Sequence, residues 1–454
     1  MKKRAGLIAT LWIFISAFIT PTVSSRDRFL IRIKASAQSI EEPADRQGLQ
    51  LIRAFGPEAP SLVVAGSDDA TGTLLERIQA DPDVEAAERV LDVRLPEFRK
   101  EANSYDFEST IEAWLESATG KALLANKAFV GYFGRSVWQS YLEQPAMWIT
   151  HGARAQRIAT GRGVIVAIID TRIDAHPVLE TVLDGGYDFM RDGGEDADAD
   201  DTAPDGVDLQ QGTTVVINVT KPPGHPIGST VIVGTTRTGS EQDYALGHGT
   251  MIAGIVHLIA PEARIMPLNV FARNGSADTA RIVRAIYYAV DHGARVINMS
   301  FAAPVLSPEL LRAVNYATRR GVICVAAAGN QARATMVYPA SLANVLGVAS
   351  TDDADHRSAF SNFGPDVATV AAPGEGIVTT YLDGAYAAGW GTSFSGALVS
   401  GGAALLLDVS STLDQYDVAR LLTRTAERTY EDREQRRVDF WRAVRAVPGN
   451  GPGF

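Results

Sequence analysis

The chain has 454 residues, of which 46% are hydrophobic and 21% are charged, with a net charge of −11 and a single cysteine. This composition excludes a chain that is disordered over most of its length, and one cysteine excludes an intrachain disulfide framework. The acidic balance argues against a dedicated nucleic-acid-binding protein, which would carry a basic face, so we expect no nucleic acid among its partners.

The amino terminus has the three-part pattern of a signal peptide. Positions 2–4 are basic, an apolar run follows over residues 5–20, and Val23 and Ser25 occupy the −3 and −1 positions of a cleavage site. A retained membrane anchor is the alternative, but the run is shorter than the roughly 20 residues that a spanning helix needs. We therefore predict that residues 1–25 are a removed signal peptide and that the mature protein is secreted or periplasmic, with no membrane contact after signal cleavage.

Residues 26–96 predict a small α/β domain. The pattern contains an alternating strand, a β-rich strand, a helix that ends at Pro82 and a further strand, over residues 28–34, 61–66, 73–84 and 92–95 in turn. Residues 97–150 predict a linker and the start of the next domain, with an amphipathic helix over residues 109–124.

A larger α/β domain is predicted over residues 151–447. Nearly all-apolar runs, typical of strands buried on both faces of a parallel sheet, recur over residues 164–170, 264–271, 295–301, 322–329 and 344–350. Helical patterns lie between several of them, over residues 278–293 and 308–321. This alternation predicts a doubly wound, mostly parallel sheet, whose chemistry gathers at the carboxyl ends of the strands.

Two segments place a carboxylate and an imidazole where catalysis could use them. Asp170 ends the first apolar run, and a carboxylate buried there needs a hydrogen-bonded partner. His248 lies between Gly247 and Gly249, which let the backbone approach another element closely, and a helix of small residues follows. A neutral imidazole can join a carboxylate to a hydroxyl. Taken alone, Asp170 is more simply explained as an aspartate that caps a turn, and His248 as a structural histidine. The remaining histidines are assigned structural roles: His151, His176, His225, His257, His292 and His356.

Two further segments complete a candidate site. Ser393 begins a small-residue helix, where a serine is usually an N-cap but where amide groups and the helix dipole would also favour a nucleophile's developing charge. Ser395 is the competing nucleophile. Asn330 follows the apolar run 322–329, and its side-chain amide could donate to an oxyanion together with the Ser393 N–H. Taken alone, the Gly329-Asn330 pair is explained more simply as a turn.

The four motifs, in the order Asp170, His248, Asn330 and Ser393, resemble those of the subtilisin-like serine peptidases, whose triad follows the order Asp, His, Ser. The resemblance covers residues 161–407. It implies a subtilisin-like fold and a secreted serine endopeptidase acting on polypeptides through an acyl-enzyme. Asp170 would orient His248, His248 would act as general base and acid, Ser393 as nucleophile and Asn330 as oxyanion donor, with no cofactor for the chemistry. Residues 26–96 would be an inhibitor-like propeptide, so that the chain is a zymogen whose own propeptide is an intramolecular inhibitor.

The resemblance also suggests where a substrate lies. Its backbone would add as a strand against residues 300–303, which include Ser300, Phe301 and Ala302. The P1 pocket would be bordered by Ala327, Ala328 and Gly329, with Val337 near its base. An apolar lining of this kind would favour apolar P1 residues.

The sequence departs from the family pattern at three places. Arg172 stands where the family has glycine, so that a long cation would lie near Asp170 or the primed side of the cleft. The proline that usually follows the nucleophile is missing after Phe394, and the usual Gly-Gly of the substrate strand is Ala302-Ala303. No catalytic group is removed, but these departures leave the efficiency and the specificity of the site open.

Residues 192–208 are strongly acidic and include the D-x-D-x-D spacing of a calcium loop at Asp196, Asp198 and Asp200. An EF-hand is excluded because its sixth and twelfth positions, which require Gly and Glu, are Asp201 and Val207. A solvated acidic loop is the preferred interpretation, although the resemblance allows a structural calcium ion, and no metal ligand is assigned.

Two other functions stay open at this level. One is a non-catalytic protein that retains the fold, and the other is a narrowly specific processing peptidase. Residues 213–243 predict an insertion beside the active site that would shape substrate choice. Cys324 lies within an apolar run, which predicts a buried small hydrophobe and not a nucleophile.

Overall fold

The computed structural model describes all residues except 1–26, 38, 40, 56–58, 60, 68–72, 97–106, 127, 192–213, 218–230, 233–241, 273–274, 430–435 and 449–454. The predicted signal peptide therefore lies outside the described residues. The chain divides into two compact units: Met1–Gly56, Pro60–Val90 and Arg191–Thr202 form the first, and Pro57–Ala59, Leu91–Met190 and Ala203–Phe454 form the second.

The first unit contains a four-stranded antiparallel sheet and two helices. The strands, in sheet order, are Gln50–Ala54, Leu62–Gly66, Arg28–Ile33 and Val84–Arg89, and the helices are Glu41–Arg46 and Leu74–Gln79. The alternating residues Phe29, Ile31 and Ile33 pack into the unit's own core. The predicted strand at residues 92–95 forms as Asp92–Arg94, but it belongs to the second unit, where it pairs with Ser276–Asp278.

One ion-pair network stabilises the first unit. The Arg46 guanidinium donates to both carboxylate oxygens of Asp81, at 2.6 and 2.9 Å, and to Asp83 at 2.7 Å. The Asp81 side chain is almost completely buried. These hydrogen bonds from Arg46 favour the charged carboxylate and lower the pKa of Asp81 to about 2.

The second unit has the predicted α/β architecture, with a nine-stranded sheet. The strands, in sheet order, are Glu427–Arg428, Arg436–Arg437, Val370–Pro373, Leu346–Thr351, Ile323–Ala327, Val296–Met299, Ile165–Asp170, Arg264–Asn269 and Tyr187–Asp188. All neighbouring pairs are parallel except the first, Glu427–Arg428 with Arg436–Arg437. In the strand Ile165–Asp170 every residue from Val166 onward is buried, so both faces are covered, which is why parallel strands have continuous apolar runs in the sequence.

Further strands and helices surround this sheet. A four-stranded sheet has the order Val231–Ile232, Thr214–Ile217, Tyr386–Gly389 and Ile377–Thr380, and Phe129–Tyr132 pairs with Arg135–Trp138. The α-helices are Phe107–Glu116, Ala118–Ala125, Gln139–Leu142, Pro145–Ile149, Gly152–Ala155, Gln242–Ile259, Thr279–Asp291, Pro308–Arg319, Thr392–Val409, Gln415–Thr425 and Phe440–Arg445, and a 3₁₀ turn covers Leu382–Gly384. Two of these helices, Thr279–Asp291 and Pro308–Arg319, lie where the sequence predicts them.

The helix predicted over residues 109–124 is two helices that meet at Ser117. The Ser117 hydroxyl accepts from the Gly120 amide at 2.9 Å and donates to the Trp114 carbonyl at 2.7 Å. The serine thereby caps the second helix, and the backbone turns at a point that an amphipathic pattern does not reveal. Further along the chain, Trp138 and Tyr141 are completely buried in the main core of the second unit.

The helix Thr392–Val409 runs through the centre of that core and contacts five strands of the large sheet. Among the described residues, one helix is long and apolar enough to cross a membrane, and it is this one. It is 89% buried inside the protein, as is typical of a core helix. A Cβ on Gly401 would lie 2.7 Å from Cβ of Ile259, so glycine is required for the close contact with the helix Gln242–Ile259.

Candidate active site

The structure brings Asp170 and His248 into direct contact at the carboxyl edge of the large sheet. His248 Nδ1 lies 2.7 Å from Asp170 Oδ1, which also accepts from the Thr171 amide at 2.7 Å. Both side chains are buried, and these hydrogen bonds satisfy Oδ1, whereas Oδ2 is buried without a hydrogen-bond partner among the described residues. An Nδ1–H that donates to this carboxylate fixes the tautomer and directs the Nε2 lone pair toward the opposite side of the ring.

His248 lies within a helix, Gln242–Ile259, and not before one as the sequence suggested. The two flanking glycines explain why this segment can approach its neighbours. A Cβ on Gly249 would lie 2.2 Å from the Thr171 carbonyl oxygen, and one on Gly247 would lie 2.2 Å from the Tyr381 ring. The Gly249 amide also donates to Thr171 Oγ1 at 2.9 Å, which ties the helix to the end of the Asp170 strand.

Ser393 stands in the first turn of the helix Thr392–Val409, as expected for a serine at a helix start. Its hydroxyl donates to the Ser300 carbonyl at 3.3 Å, and Ser300 Oγ donates to the Ser393 carbonyl at 3.2 Å. The next residue, Phe394, contacts His248 edge-on, with 6.0 Å between ring centroids. The helix start therefore lies beside the imidazole.

Asn330 is oriented by a residue that sequence reasoning missed. Its Oδ1 accepts from the Thr392 amide and from Thr392 Oγ1, both at 2.9 Å. Because the amide group is planar, this arrangement turns Nδ2 away from Thr392, as a donor to an oxyanion requires. Thr392 Oγ1 also accepts from the Gly329 amide at 3.0 Å, so one threonine links the strand end to the nucleophile helix.

Ser395 does not share the position of Ser393. Its hydroxyl is buried and donates at 3.2 Å to the carbonyl of Pro373, the last residue of the strand Val370–Pro373. Cys324 is also completely buried, and burial raises the pKa of its thiol to about 12, which keeps it protonated.

The other histidines within the described residues have structural contacts of their own. His257 lies 3.1 Å from the Tyr141 hydroxyl, and burial lowers its pKa to about 3. His151 contacts Asp439 at 2.9 Å, and His356 contacts Asp352 at 3.2 Å. His225 lies outside the described residues.

The residues predicted to bind substrate lie at the same edge of the sheet. Ser300, Phe301 and Ala302 follow the strand Val296–Met299, and all three are buried. The Phe301 ring contacts Phe271 at 5.6 Å. Ala327 ends the neighbouring strand, and Ala328 and Gly329 follow it. Val337 is buried, but the roles of these residues in a P1 pocket stay a prediction.

A segment of the chain itself is paired with the predicted substrate strand. Arg94 forms an antiparallel bridge with Ala302 and pairs on its other side with Ser276. The Leu95 amide donates to the Gly275 carbonyl at 3.0 Å. The strand Ser276–Asp278, which pairs with the other side of Asp92–Arg94, could not be predicted from the sequence, because three residues without an apolar run give no strand pattern.

Two of the sequence departures have a clear place in the structure. The Arg172 guanidinium is half-exposed and pairs with Asp174, so its charge is directed to that carboxylate. The Asp174 amide donates to Thr250 Oγ1 at 2.9 Å, which sets the pair beside the His248 helix. Phe394 is completely buried, and a Cβ on Gly389 would lie 2.2 Å from its ring.

Glu375 is a largely buried carboxyl near the start of the nucleophile helix. The preceding residue, Gly374, accepts from the amide of Gly391, which caps that helix, at 2.9 Å. Burial raises the pKa of Glu375 to about 7, the hydrogen bond from Ser358 opposes this shift, and the charge of Asp352 adds to it.

No group of three or more His, Cys, Asp or Glu side chains that could hold a metal ion occurs among the described residues. The acidic residues 192–208, including Asp196, Asp198 and Asp200, lie outside them. The predicted insertion, residues 213–243, is described at two strands, Thr214–Ile217 and Val231–Ile232, and at the start of the helix Gln242–Ile259. Of these, Thr214–Ile217 pairs with Tyr386–Gly389, just before the Thr392–Val409 helix.

Comparison with known proteins points to one family. The sequence model of the Subtilase family matches residues 161–440. Thermitase of Thermoactinomyces vulgaris is 37% identical over 254 residues, which cover 56% of this chain and 78% of thermitase. Subtilisin Savinase of Lederbergia lenta is 30% identical over 283 residues, which cover 60% of this chain and 87% of that protein.

Solved structures support the fold. Fervidolysin from Fervidobacterium pennivorans, a keratinolytic enzyme related to subtilisin, has a TM-score of 0.63 and 20% identity, covering 93% of this chain and 62% of fervidolysin. A protease from Pseudoalteromonas arctica has a TM-score of 0.51 and 26% identity, covering 65% of this chain and 94% of that chain.

Proposed function

Because this chain belongs to the subtilase family and is a serine-type endopeptidase, we propose that it cleaves polypeptides with Asp170, His248 and Ser393 as its catalytic triad. The observation that carries this assignment is the 2.7 Å contact between His248 Nδ1 and Asp170 Oδ1, with the Ser393 helix beside the imidazole. Three segments distant in sequence supply these groups, each at the end of a strand or on a helix that contacts the sheet.

The proposed chemistry is acyl transfer. Ser393 Oγ attacks the substrate carbonyl while His248 Nε2 takes its proton and later gives it to the leaving amine. Asp170 holds the imidazole and stabilises its charged form. The oxyanion accepts from Asn330 Nδ2 and the Ser393 amide, and water then hydrolyses the ester.

The chain is proposed to be made as a zymogen. The strand Asp92–Arg94 pairs with Ser276–Asp278 and bridges Ala302, which is how an extended peptide would add to the cleft. A propeptide whose last residues occupy the cleft would compete with substrate. The predicted signal peptide at residues 1–25 supports export to the periplasm or the medium. Removal of residues 26–96 would then complete maturation.

The test is labelling of the purified protein with a fluorophosphonate probe and hydrolysis of casein. The native protein should be labelled at Ser393, whereas Ser393→Ala should lose both labelling and hydrolysis. Ser395→Ala is the matched control and should keep both. Casein cleavage by Ser393→Ala at the native rate would refute the assignment, and a native protein that is never labelled would favour the non-catalytic alternative.

A substrate library then decides the breadth of specificity. The Arg172–Asp174 pair and the alanines at 302 and 303 are the features that favour a narrow processing peptidase over a degradative one. Cleavage of most peptides after apolar residues would reject the narrow alternative.

A further inference from the structure

A partly exposed tryptophan of the second unit is contacted by two arginines. The guanidinium carbon of Arg154 lies 3.8 Å from the centroid of the Trp441 ring, and that of Arg445 lies 4.6 Å from it. Both arginines are exposed, and within the described part of the chain neither pairs with a carboxylate. A guanidinium that lies over an aromatic ring keeps the N–H groups at its edge available to phosphate or carboxylate oxygens.

A cavity of about 230 Å³ lies beside these arginines. Its lining comes from the helix Gln415–Thr425 and from the end of the chain's last helix: Arg420, Leu421, Arg424, Thr425, Ala446 and Pro448. Arg445 immediately precedes this lining, so the cavity and the arginine–tryptophan contact form one continuous surface. Arg424 is exposed and has no carboxylate partner among the residues that the structure describes, whereas Arg420 pairs with Asp417 at 3.1 Å.

Large apolar and aromatic side chains are exposed next to these arginines. Trp148 is 60% exposed, Ile158 42% and Tyr416 73%. Trp148 and Ile158 flank the short helix that carries Arg154. Tyr416 and Arg420 are four residues apart on one helix, so they lie on the same face of it. Exposed aromatic residues beside arginines are typical of a surface that enters the layer between water and lipid chains.

The charge of this surface is opposite to that of the whole chain, which has a net charge of −11. Five exposed arginines define it, and we call it the basic face: Arg154, Arg157, Arg420, Arg424 and Arg445. The acids Asp417 and Glu427 are already paired, with Arg420 and with Arg442, so four of the five guanidiniums have no carboxylate partner among the described residues. The basic face can therefore attract an anionic surface although the protein as a whole is acidic.

We propose that the basic face binds reversibly to a membrane surface that carries anionic phospholipid headgroups. The guanidiniums of Arg154 and Arg445 would donate to phosphate oxygens, and Trp148 and Tyr416 would enter the headgroup layer. This inference goes beyond the proposed peptidase activity, because it involves none of the catalytic residues. It differs from the expectation that the protein does not contact a membrane after signal cleavage, because that expectation concerned spanning segments and not the charge of the folded surface.

The experiment measures cosedimentation of the exported protein with lipid vesicles. The chain carries Ser393→Ala to prevent self-digestion, and its intact mass is checked for the loss of residues 1–25. Binding to vesicles of phosphatidylglycerol and phosphatidylcholine in equal parts should be about tenfold tighter, or more, than binding to phosphatidylcholine alone, and added salt should weaken it. Arg154→Glu together with Arg445→Glu should weaken binding to the anionic vesicles about tenfold or more.

The matched control is Arg319→Glu together with Arg320→Glu. These two exposed arginines lie outside the basic face, and Arg320 also lies over an aromatic ring, 4.7 Å from the centroid of Tyr316. The control makes the same change in net charge and removes the same kind of ring contact, so it should bind the anionic vesicles as tightly as the parent chain.

Melting temperatures and a soluble polyanion make the outcome decisive. If the glutamate variant of the basic face has a lower melting temperature, Arg154→Gln together with Arg445→Gln repeats the test without adding negative charge. Equal binding to both kinds of vesicle, or undiminished binding by a folded variant of the basic face, overturns the proposal. Binding to polyglutamate without binding to vesicles also overturns it and would assign the basic face to an acidic polypeptide.

Discussion

Glu375 offers a test of how the protein's stability depends on pH. Its carboxyl group is largely buried beside Ser358, with Asp352 and Asp353 contributing unfavourable negative charge, and its pKa rises from 4.5 to about 7. The folded protein therefore holds this proton over a pH range in which the unfolded chain has released it. The contribution of Glu375 to the free energy of unfolding is therefore fully present below pH 4.5 and is lost as the pH rises through 7.

The magnitude follows from the size of the shift. Each pKa unit corresponds to about 1.4 kcal/mol, so the free energy of unfolding should decrease by about 3 kcal/mol across this interval because of Glu375 alone. Glu375→Gln replaces the carboxyl group by a neutral amide of the same shape. The variant should lack this part of the pH dependence and be more stable than the native chain at neutral pH.

Urea unfolding at half-unit pH steps, followed by tryptophan fluorescence, measures the effect. Trp114 and Trp390 form an edge-on pair next to this loop, and a Cβ on Gly376 would lie 2.2 Å from Trp114, so the signal reports the region concerned. All chains carry Ser393→Ala to prevent self-digestion, and Glu76→Gln, at an exposed position, serves as the matched control. Identical pH profiles for the Glu375→Gln and control chains would refute the reasoning.

Four further outcomes are expected. Asn330→Ala should lower kcat about 10²–10³-fold with little change in KM, the loss known for such an oxyanion donor in subtilisin itself, and an unchanged kcat would remove Asn330 from the site. Ser395→Ala should keep fluorophosphonate labelling, since its hydroxyl donates to Pro373. The pKa of Asp81 is lowered from 3.8 to about 2, so the ion pair with Arg46 stabilises the first unit above pH 3.8, and this stabilisation is lost as the pH falls toward 2. Acid unfolding followed by circular dichroism should therefore depend less on pH in Asp81→Asn than in the native chain. EDTA should leave Tm unchanged if residues 192–208 are a solvated acidic loop, and a calcium-dependent rise in Tm would instead assign a structural ion.

The strands of the large sheet could be predicted from the sequence because burial on both faces leaves continuous apolar runs. The run at residues 164–170 is the strand Ile165–Asp170, and the run at residues 264–271 contains Arg264–Asn269. The same reasoning placed Asp170 at a strand end, where His248 now contacts it. A local pattern was sufficient for these features because each strand carries its own burial signal.

Features that depend on contacts between distant residues could not be predicted. The pairing of Asp92–Arg94 with Ser276–Asp278 joins segments with no shared periodicity, so the strand was grouped with the small domain that precedes it. The role of Thr392 in orienting Asn330 depends on the loop geometry at two elements. The break at Ser117 reflects a serine that bonds both Trp114 and Gly120.

The match to the family begins at residue 161, but the folded core begins earlier in the chain. Trp138 and Tyr141 are completely buried within it, and the Tyr141 hydroxyl donates to the Gly254 carbonyl in the middle of the His248 helix. Gln144 bonds both the carbonyl and the amide of Val378. A recombinant chain trimmed to the family boundary would therefore remove part of the interior of the enzyme, so that protein engineering has to keep the residues from about 107 onward as a structural part of the enzyme.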